Sequence, residues 1–217
     1  MKEANYKPVI IIGGGGHAKV LADCLILNQI EIIGFTDPDF SSCDNLVTYD
    51  IEYLGSDEKI LKFKPEEVSL VNGLGGVEKL TPREEIFTAF QQKGYGFALI
   101  IHPSVIIAND VLLEEGVQIM AGAVIQPGVV IGANSIINTN ASIDHDSWIG
   151  RNAHIAPGTV LSGSVKVSDN TFIGAGSTVM QGIQIGKNVM IGAASLVNSN
   201  IQDYAKAYGV PAKVVKT

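Results

Sequence analysis

Ile119-Met120-Ala121-Gly122-Ala123-Val124-Ile125-Gln126-Pro127-Gly128-Val129-Val130-Ile131 shows the rhythm that decides the fold. From Ile101 to Val197 every sixth residue is apolar: Ile101, Ile107, Leu113, Ile119, Ile125, Ile131, Ile137, Ile143, Ile149, Ile155, Leu161, Val167, Ile173, Val179, Ile185, Ile191 and Val197. All 17 are Ile, Leu or Val. A second series begins at Val105, runs through Ala123, Ser135, Thr159 and Ser177 to Ile201, and holds only small or β-branched residues. A period of six is neither that of a helix nor that of an alternating strand; it marks a parallel β-helix. Three hexads per coil predict a triangular prism of five to six coils, roughly 25 Å tall at the ~4.8 Å spacing of neighbouring strands. The second series suits tight corners, and Gly and Asn supply turns of positive φ. Pro103, Pro127 and Pro157 each fall two places after the hexad residue, at a turn that needs no ladder N–H.

Ahead of the prism the pattern changes. Val9–Ile12 reads as a buried strand, followed by Gly13-Gly14-Gly15-Gly16-His17 and a helical pattern through Val20, Leu21, Cys24 and Leu27. Glu31–Thr36, Val68–Asn72 and Phe97–Ile101 read as three further strands. Ser56 is a candidate cap for a short helix through Phe63, and Thr81-Pro82-Arg83-Glu84 opens a helix that stops at Gly94. The expectation is two domains: residues 1–100, a small Rossmann-like α/β domain with a parallel sheet, and residues 101–217, a β-helix whose tail from Tyr204 closes the last coil.

With 46% apolar residues among 217, there is enough material for real cores. The net charge is −7; residues 1–100 hold 9 Lys/Arg against 15 Asp/Glu, and 101–217 hold 6 against 7. No basic face is available for a phosphate backbone, which excludes nucleic acid as a partner. The apolar run at Val9–Ile12 is too short for a signal peptide or a membrane span, so the expectation is a cytoplasmic protein without membrane insertion. Cys24 and Cys43 show no metal or redox spacing and read as buried free thiols.

Gly13-x-Gly15-x-x-Ala18, with Asp37 at the end of the second strand, formally fits a dinucleotide fingerprint. A hydride-transfer enzyme normally completes a six-stranded sheet, whereas this chain leaves for the prism after four strands. A nucleoside diphosphate attached to another group fits better than NAD, with glycines allowing close approach and the helix N-terminus meeting an anion.

In the prism His102, His145 and His154 all lie outside the two inward series, which predicts outward side chains, either solvated or at a subunit boundary. His145 stands between Asp144 and Asp146. A carboxylate on one ring nitrogen fixes the tautomer and raises the basicity of the other, which is how a general base is built. Adjacent strand residues face opposite ways, so Asp146 reaches the ring only if the chain bends there. Trp148 lies at an outward register, where it would cover a subunit surface. His154, nine residues after His145, belongs on a different face, so a site using both predicts an oligomer.

The unbroken hexads, the terminal Gly209-Val210-Pro211-Ala212-Lys213, the loop ending in Gly16-His17, and Ile143-Asp144-His145-Asp146 followed by Gly150 and His154 together resemble the hexapeptide acyltransferases. More narrowly the chain is similar to the bacterial sugar acetyltransferases of the NeuD and PglD type. That resemblance implies a left-handed β-helix, an exception to the right-handed crossover rule, and a homotrimer with acetyl-CoA bound between prisms. It implies His145 as general base and Asp146 as its acidic partner. It also implies His154 as a contact to acetyl-CoA, Gly163 as the N–H facing the thioester oxygen, and Ala175 and Ala193 as backbone contacts to the cofactor arm. Gly15, Gly16, His17, Asp37 and Gly75 match the nucleotide-sugar site. Asp146 departs from the Glu frequent in related N-acetyltransferases, and extra residues follow Asn72-Gly73-Leu74-Gly75-Gly76.

The implied activity is acetylation of the amine of a nucleotide-linked amino sugar, of the UDP-4-amino-sugar or GDP-perosamine type, in glycan biosynthesis. O-acetylation of a sialic acid needs the same base and groove. A γ-carbonic-anhydrase-like metal hydrolase shares the hexad prism, but His102, His145 and His154 have the wrong spacing for three zinc ligands; no metal site is expected. A noncatalytic scaffold would leave the His145 cluster without purpose.

Overall fold

The computed structural model describes residues 7–39, 46, 49–76 and 80–215. Cys43 lies outside the described residues. The chain divides into two compact units, Met1–Gly75 with Pro82–Ile100, and Gly76–Thr81 with Ile101–Thr217.

In the first unit, strands β1 (Val9–Ile12), β2 (Ile32–Thr36), β3 (Tyr53–Gly55) and β4 (Ser69–Asn72) form a parallel sheet in the order β3-β2-β1-β4. The continuous apolar run of β1 is buried at all four positions, as a central parallel strand requires. Helix α1 (Gly16–Leu27) follows the glycine loop, and α2 (Thr81–Gln92) follows β4. Cys24 on α1 is buried, which pushes its thiol up to about 11.

Two expectations change here. The fourth strand is Tyr53–Gly55 rather than Phe97–Ile101: Phe97 makes only an isolated bridge to Leu70, and Ile100–Ile101 belongs to the prism's ladder. The short helix over Asp57–Lys62 is a 3₁₀ helix, and Ser56 gives it no side-chain cap.

The second unit carries two-residue strands at six-residue steps from β5 (Ile100–Ile101) to β21 (Leu196–Val197). β12 (Ser142–Ile143) pairs in parallel with β9 (Val124–Ile125) and β15 (Val160–Leu161), partners 18 residues away on either side. Three hexads therefore make one coil, and the strands stack into three sheets. From Ile119 to Val197 every residue of the hexad series is buried to 1% exposure or less, whereas Ile101, Ile107 and Leu113 of the first coil are half-buried. The hydroxyls of the second series are satisfied inside the prism: Ser135 donates to the Gly150 carbonyl at 2.8 Å and accepts from the Ala153 N–H at 2.9 Å.

A third series runs beside these two. Positions 116 to 194 in steps of six all have positive φ, filled by Gly, Asn, Asp146, Ser164 and Ala194. These are the corner residues. The tail does not simply close the last coil. β22 (Lys206–Gly209) continues one sheet in parallel beside β20 (Met190–Ile191) and turns back as β23 (Ala212–Val215).

Candidate active site

His145 and Asp146 follow β12 and form its corner. Asp146 has φ +57°, which turns its side chain to the same side as its neighbour. Its Oδ2 accepts from His145 Nδ1 at 2.8 Å. That bond and the charges of Asp144 and Asp146 raise the imidazole above its ordinary pKa, against a smaller opposing effect of desolvation. With Nδ1–H donated to the carboxylate, Nε2 is the free acceptor. Asp144 hydrogen-bonds the backbone and not the ring. Its Oδ1 accepts the His145 main-chain N–H at 2.8 Å and fixes the chain there.

Under the ring lies Gly163, one coil on. A Cβ built there would stand 2.5 Å from His145 Nε2 and 2.7 Å from Cε1. The imidazole therefore sits directly over a backbone without a side chain. Among the described residues the Gly163 N–H donates to no protein group.

His154 occupies β14 (His154–Ile155), on another of the three sheets. It is outward-facing yet buried within the chain itself, at 7% exposure. Gly76 and Leu80 lie over this part of the sheet. His154 Nδ1 donates to the Gly76 carbonyl at 2.8 Å and Nε2 accepts from Asn138 Nδ2 at 3.1 Å, the tautomer that satisfies both partners. Asn152 donates to the Leu80 carbonyl, and Leu80 packs on Ala156 and Phe172. Beside this contact lies a cavity of about 460 Å³ lined by His154, Phe172, Ala175, Met190, Ala193 and Tyr208. Neither Ala175 N–H nor Ala193 N–H has a protein acceptor among the described residues. An apolar cleft with a few backbone donors fits an amide-bearing chain.

In the first unit a second cavity, of about 470 Å³, opens at the carboxyl end of β1 and β2 between Gly13, Asp37, Asp57, Leu74 and Glu85. Asp37 Oδ2 accepts the Gly14 N–H at 2.7 Å, so this carboxylate is anchored to the glycine loop. A Cβ at Gly15 or Gly16 would meet nothing within 4 Å, and neither residue has positive φ. The fold does not demand glycine there; open approach to the N-terminus of α1 is what glycine supplies. Gly75 lies beside His17, where an added Cβ would stand 3.4 Å from the His17 Cβ. Of the five positions matched to a nucleotide sugar, Asp37 lines the cavity itself.

His102 bonds Ser104 and joins neither other histidine. Among the described residues no group of three or more His, Cys, Asp or Glu is arranged to hold a metal.

Two family models match: the PglD N-terminal domain over residues 8–89, and the bacterial transferase hexapeptide (six repeats) over 110–144, 128–163 and 164–199. A perosamine N-acetyltransferase from Caulobacter crescentus, a variant with one histidine replaced by asparagine, in complex with CoA and GDP-perosamine, is 30% identical. The match covers 97% of both chains with a TM-score of 0.87. The chain belongs to the PglD type of hexapeptide sugar acetyltransferases. The acetyltransferase domain of PglB from Neisseria gonorrhoeae FA1090, in complex with acetyl coenzyme A, matches at 27% identity over 97% of this chain and 100% of that one, TM-score 0.89. WeeI from Acinetobacter baumannii AYE, 18% identical with a TM-score of 0.78, has the same fold. Among curated protein sequences none matches.

The prism of this PglD-type chain is a left-handed parallel β-helix after a small parallel-sheet domain. Sequence reasoning did not find Asn138, the second partner of His154. The signal was available: Asn138 and His154 lie 16 residues apart on adjacent rungs of one sheet.

Proposed function

We propose that this chain transfers the acetyl group of acetyl-CoA to the amine of a nucleotide-linked amino sugar. The observation that carries it is the His145–Asp146 pair standing over the side-chain-free Gly163. Neutral His145 accepts the amine proton at Nε2 as the nitrogen attacks the thioester carbon. The C–N bond forms, the carbonyl electrons move to oxygen, and the Gly163 N–H donates to that oxyanion, an effect worth ~3 kcal/mol in comparable sites. Collapse expels the thiolate of CoA, which takes the proton back from His145. Asp146 keeps Nδ1 protonated throughout.

The cavity beside His154, with the Ala175 and Ala193 N–H groups, holds the amide-bearing arm of acetyl-CoA. Asp37, the open Gly15-Gly16 turn, His17 and Gly75 hold the nucleotide, so binding remote from the reacting amine positions the sugar. The GDP-perosamine complex of the Caulobacter enzyme supports this substrate class.

The same reading makes the protein a homotrimer. His145 and His154 stand on different sheets of one prism, and outward residues on two sheets, Ile106 at 67%, Leu112 at 64%, Val160 at 42% and Trp148 at 40% exposed, leave apolar surface for neighbouring prisms. No helix among the described residues is long and apolar enough to cross a membrane. Nucleotide sugars and acetyl-CoA meet in the cytoplasm, which places the reaction there, in glycan biosynthesis. Incubating the protein with acetyl-CoA and a panel of UDP-, GDP- and dTDP-amino sugars and free or CMP-linked sialic acid, with products read by mass, tests the reading. It predicts one acetyl added to an amino sugar's nitrogen; acetylation of sialic acid alone would contradict it.

A further inference from the structure

We propose that Gly128 is a positioning residue for the base: it keeps the place of the Asp146 carboxylate empty of any other side chain. The proposal rests on the reading of His145 as base. Gly128 and Asp146 occupy the positive-φ corner series one coil apart. A Cβ built on Gly128 would stand 2.7 Å from Asp146 Oδ1, closer than such atoms approach. The other oxygen, Oδ2, holds His145 Nδ1. Pushing Oδ1 away rotates or lifts the whole carboxylate and stretches the bond to the ring.

The backbone does not by itself demand glycine at this register. Ala194 occupies it with φ +55°, and Asn occupies it at 134, 140, 152, 170 and 188. Nor does crowding demand glycine throughout: at Gly182, in the same series with φ +72° against +75° for Gly128, a Cβ would meet nothing within 4 Å. The two glycines have nearly the same φ and differ in what a methyl group meets. Gly128→Ala and Gly182→Ala therefore carry comparable positive-φ strain, and only the first meets the carboxylate.

The test measures kcat/KM against pH for both variants and the His145 titration by NMR in the substrate-free protein. Gly128→Ala is expected to lower kcat about tenfold and to move the acid limb and the His145 titration toward lower pH, in the direction of Asp146→Asn. Gly182→Ala is expected to leave both in place. A folded Gly128→Ala protein with an unchanged His145 titration overturns the proposal while leaving the base assignment intact; turnover at the wild-type rate by His145→Ala fails the base assignment instead. If Gly128→Ala is too unstable to assay, an Asp146→Gly background decides. The stability cost of Gly128→Ala is expected to fall to that of Gly182→Ala where the carboxylate is gone, and a cost of equal size in both backgrounds contradicts the proposal.

Discussion

His145 and Asp146 are neighbours in the chain, yet Asp146 Oδ2 lies 2.8 Å from His145 Nδ1, because the corner residue takes φ +57° and brings both side chains to one side of the backbone. An extended dipeptide would point them apart. The corner of the prism thus makes an imidazole–carboxylate pair from two consecutive residues.

Asp146→Asn is expected to lower kcat by about 100-fold. The carboxylate raises the His145 pKa, and the reaction needs the neutral ring, so activity rises with pH through an inflection above the ordinary histidine value. Without the carboxylate that inflection moves down. The relative loss is then largest at high pH and shrinks below the native inflection, which a pair of kcat/KM profiles reads directly.

Gly163→Ala puts a methyl group against His145 Nε2 while leaving the backbone N–H in place. A loss in kcat of about 100-fold is expected with the thermal midpoint little changed, since a misplacement of the ring by about 1 Å is that costly. Unchanged turnover would show that the ring need not lie over this backbone.

How much of this was legible in the residues follows from sequence distance. The hexad and its small-residue companion appear directly as period six, and Ile155 and Ser135 are buried where that period puts them. The third series was harder to see because Gly, Asn, Asp, Ser and Ala all fill it; what unites them is positive φ, not chemistry. His145 and Asp146 were readable as a pair by adjacency. The burial of His154 was not, because Gly76 and Leu80, which lie over it, come more than 70 positions earlier, and no local pattern reports them. Tyr53–Gly55 escaped because three residues carry too little periodicity to mark a strand.

Ile155 sits at 0% exposure in the middle of the prism. Ile155→Ala is expected to cost about 3 kcal/mol, measured as a fall in the urea midpoint at unchanged slope. A change under about 1 kcal/mol would mean that the interior collapses around the gap.

His154→Ala removes the bond to the Gly76 carbonyl and one wall of the apolar cavity. The expected result is a KM for acetyl-CoA raised about tenfold, equivalent to about 1.4 kcal/mol. An unchanged acetyl-CoA KM with a raised nucleotide-sugar KM would assign His154 to anchoring Gly76 instead.

The most direct measurement is the rate of CoA release by His145→Ala, with acetyl-CoA and the amino sugar that the wild-type protein acetylates, on protein shown to be folded. The account predicts a loss of about 1,000-fold with substrate binding retained. Turnover at the wild-type rate would contradict it.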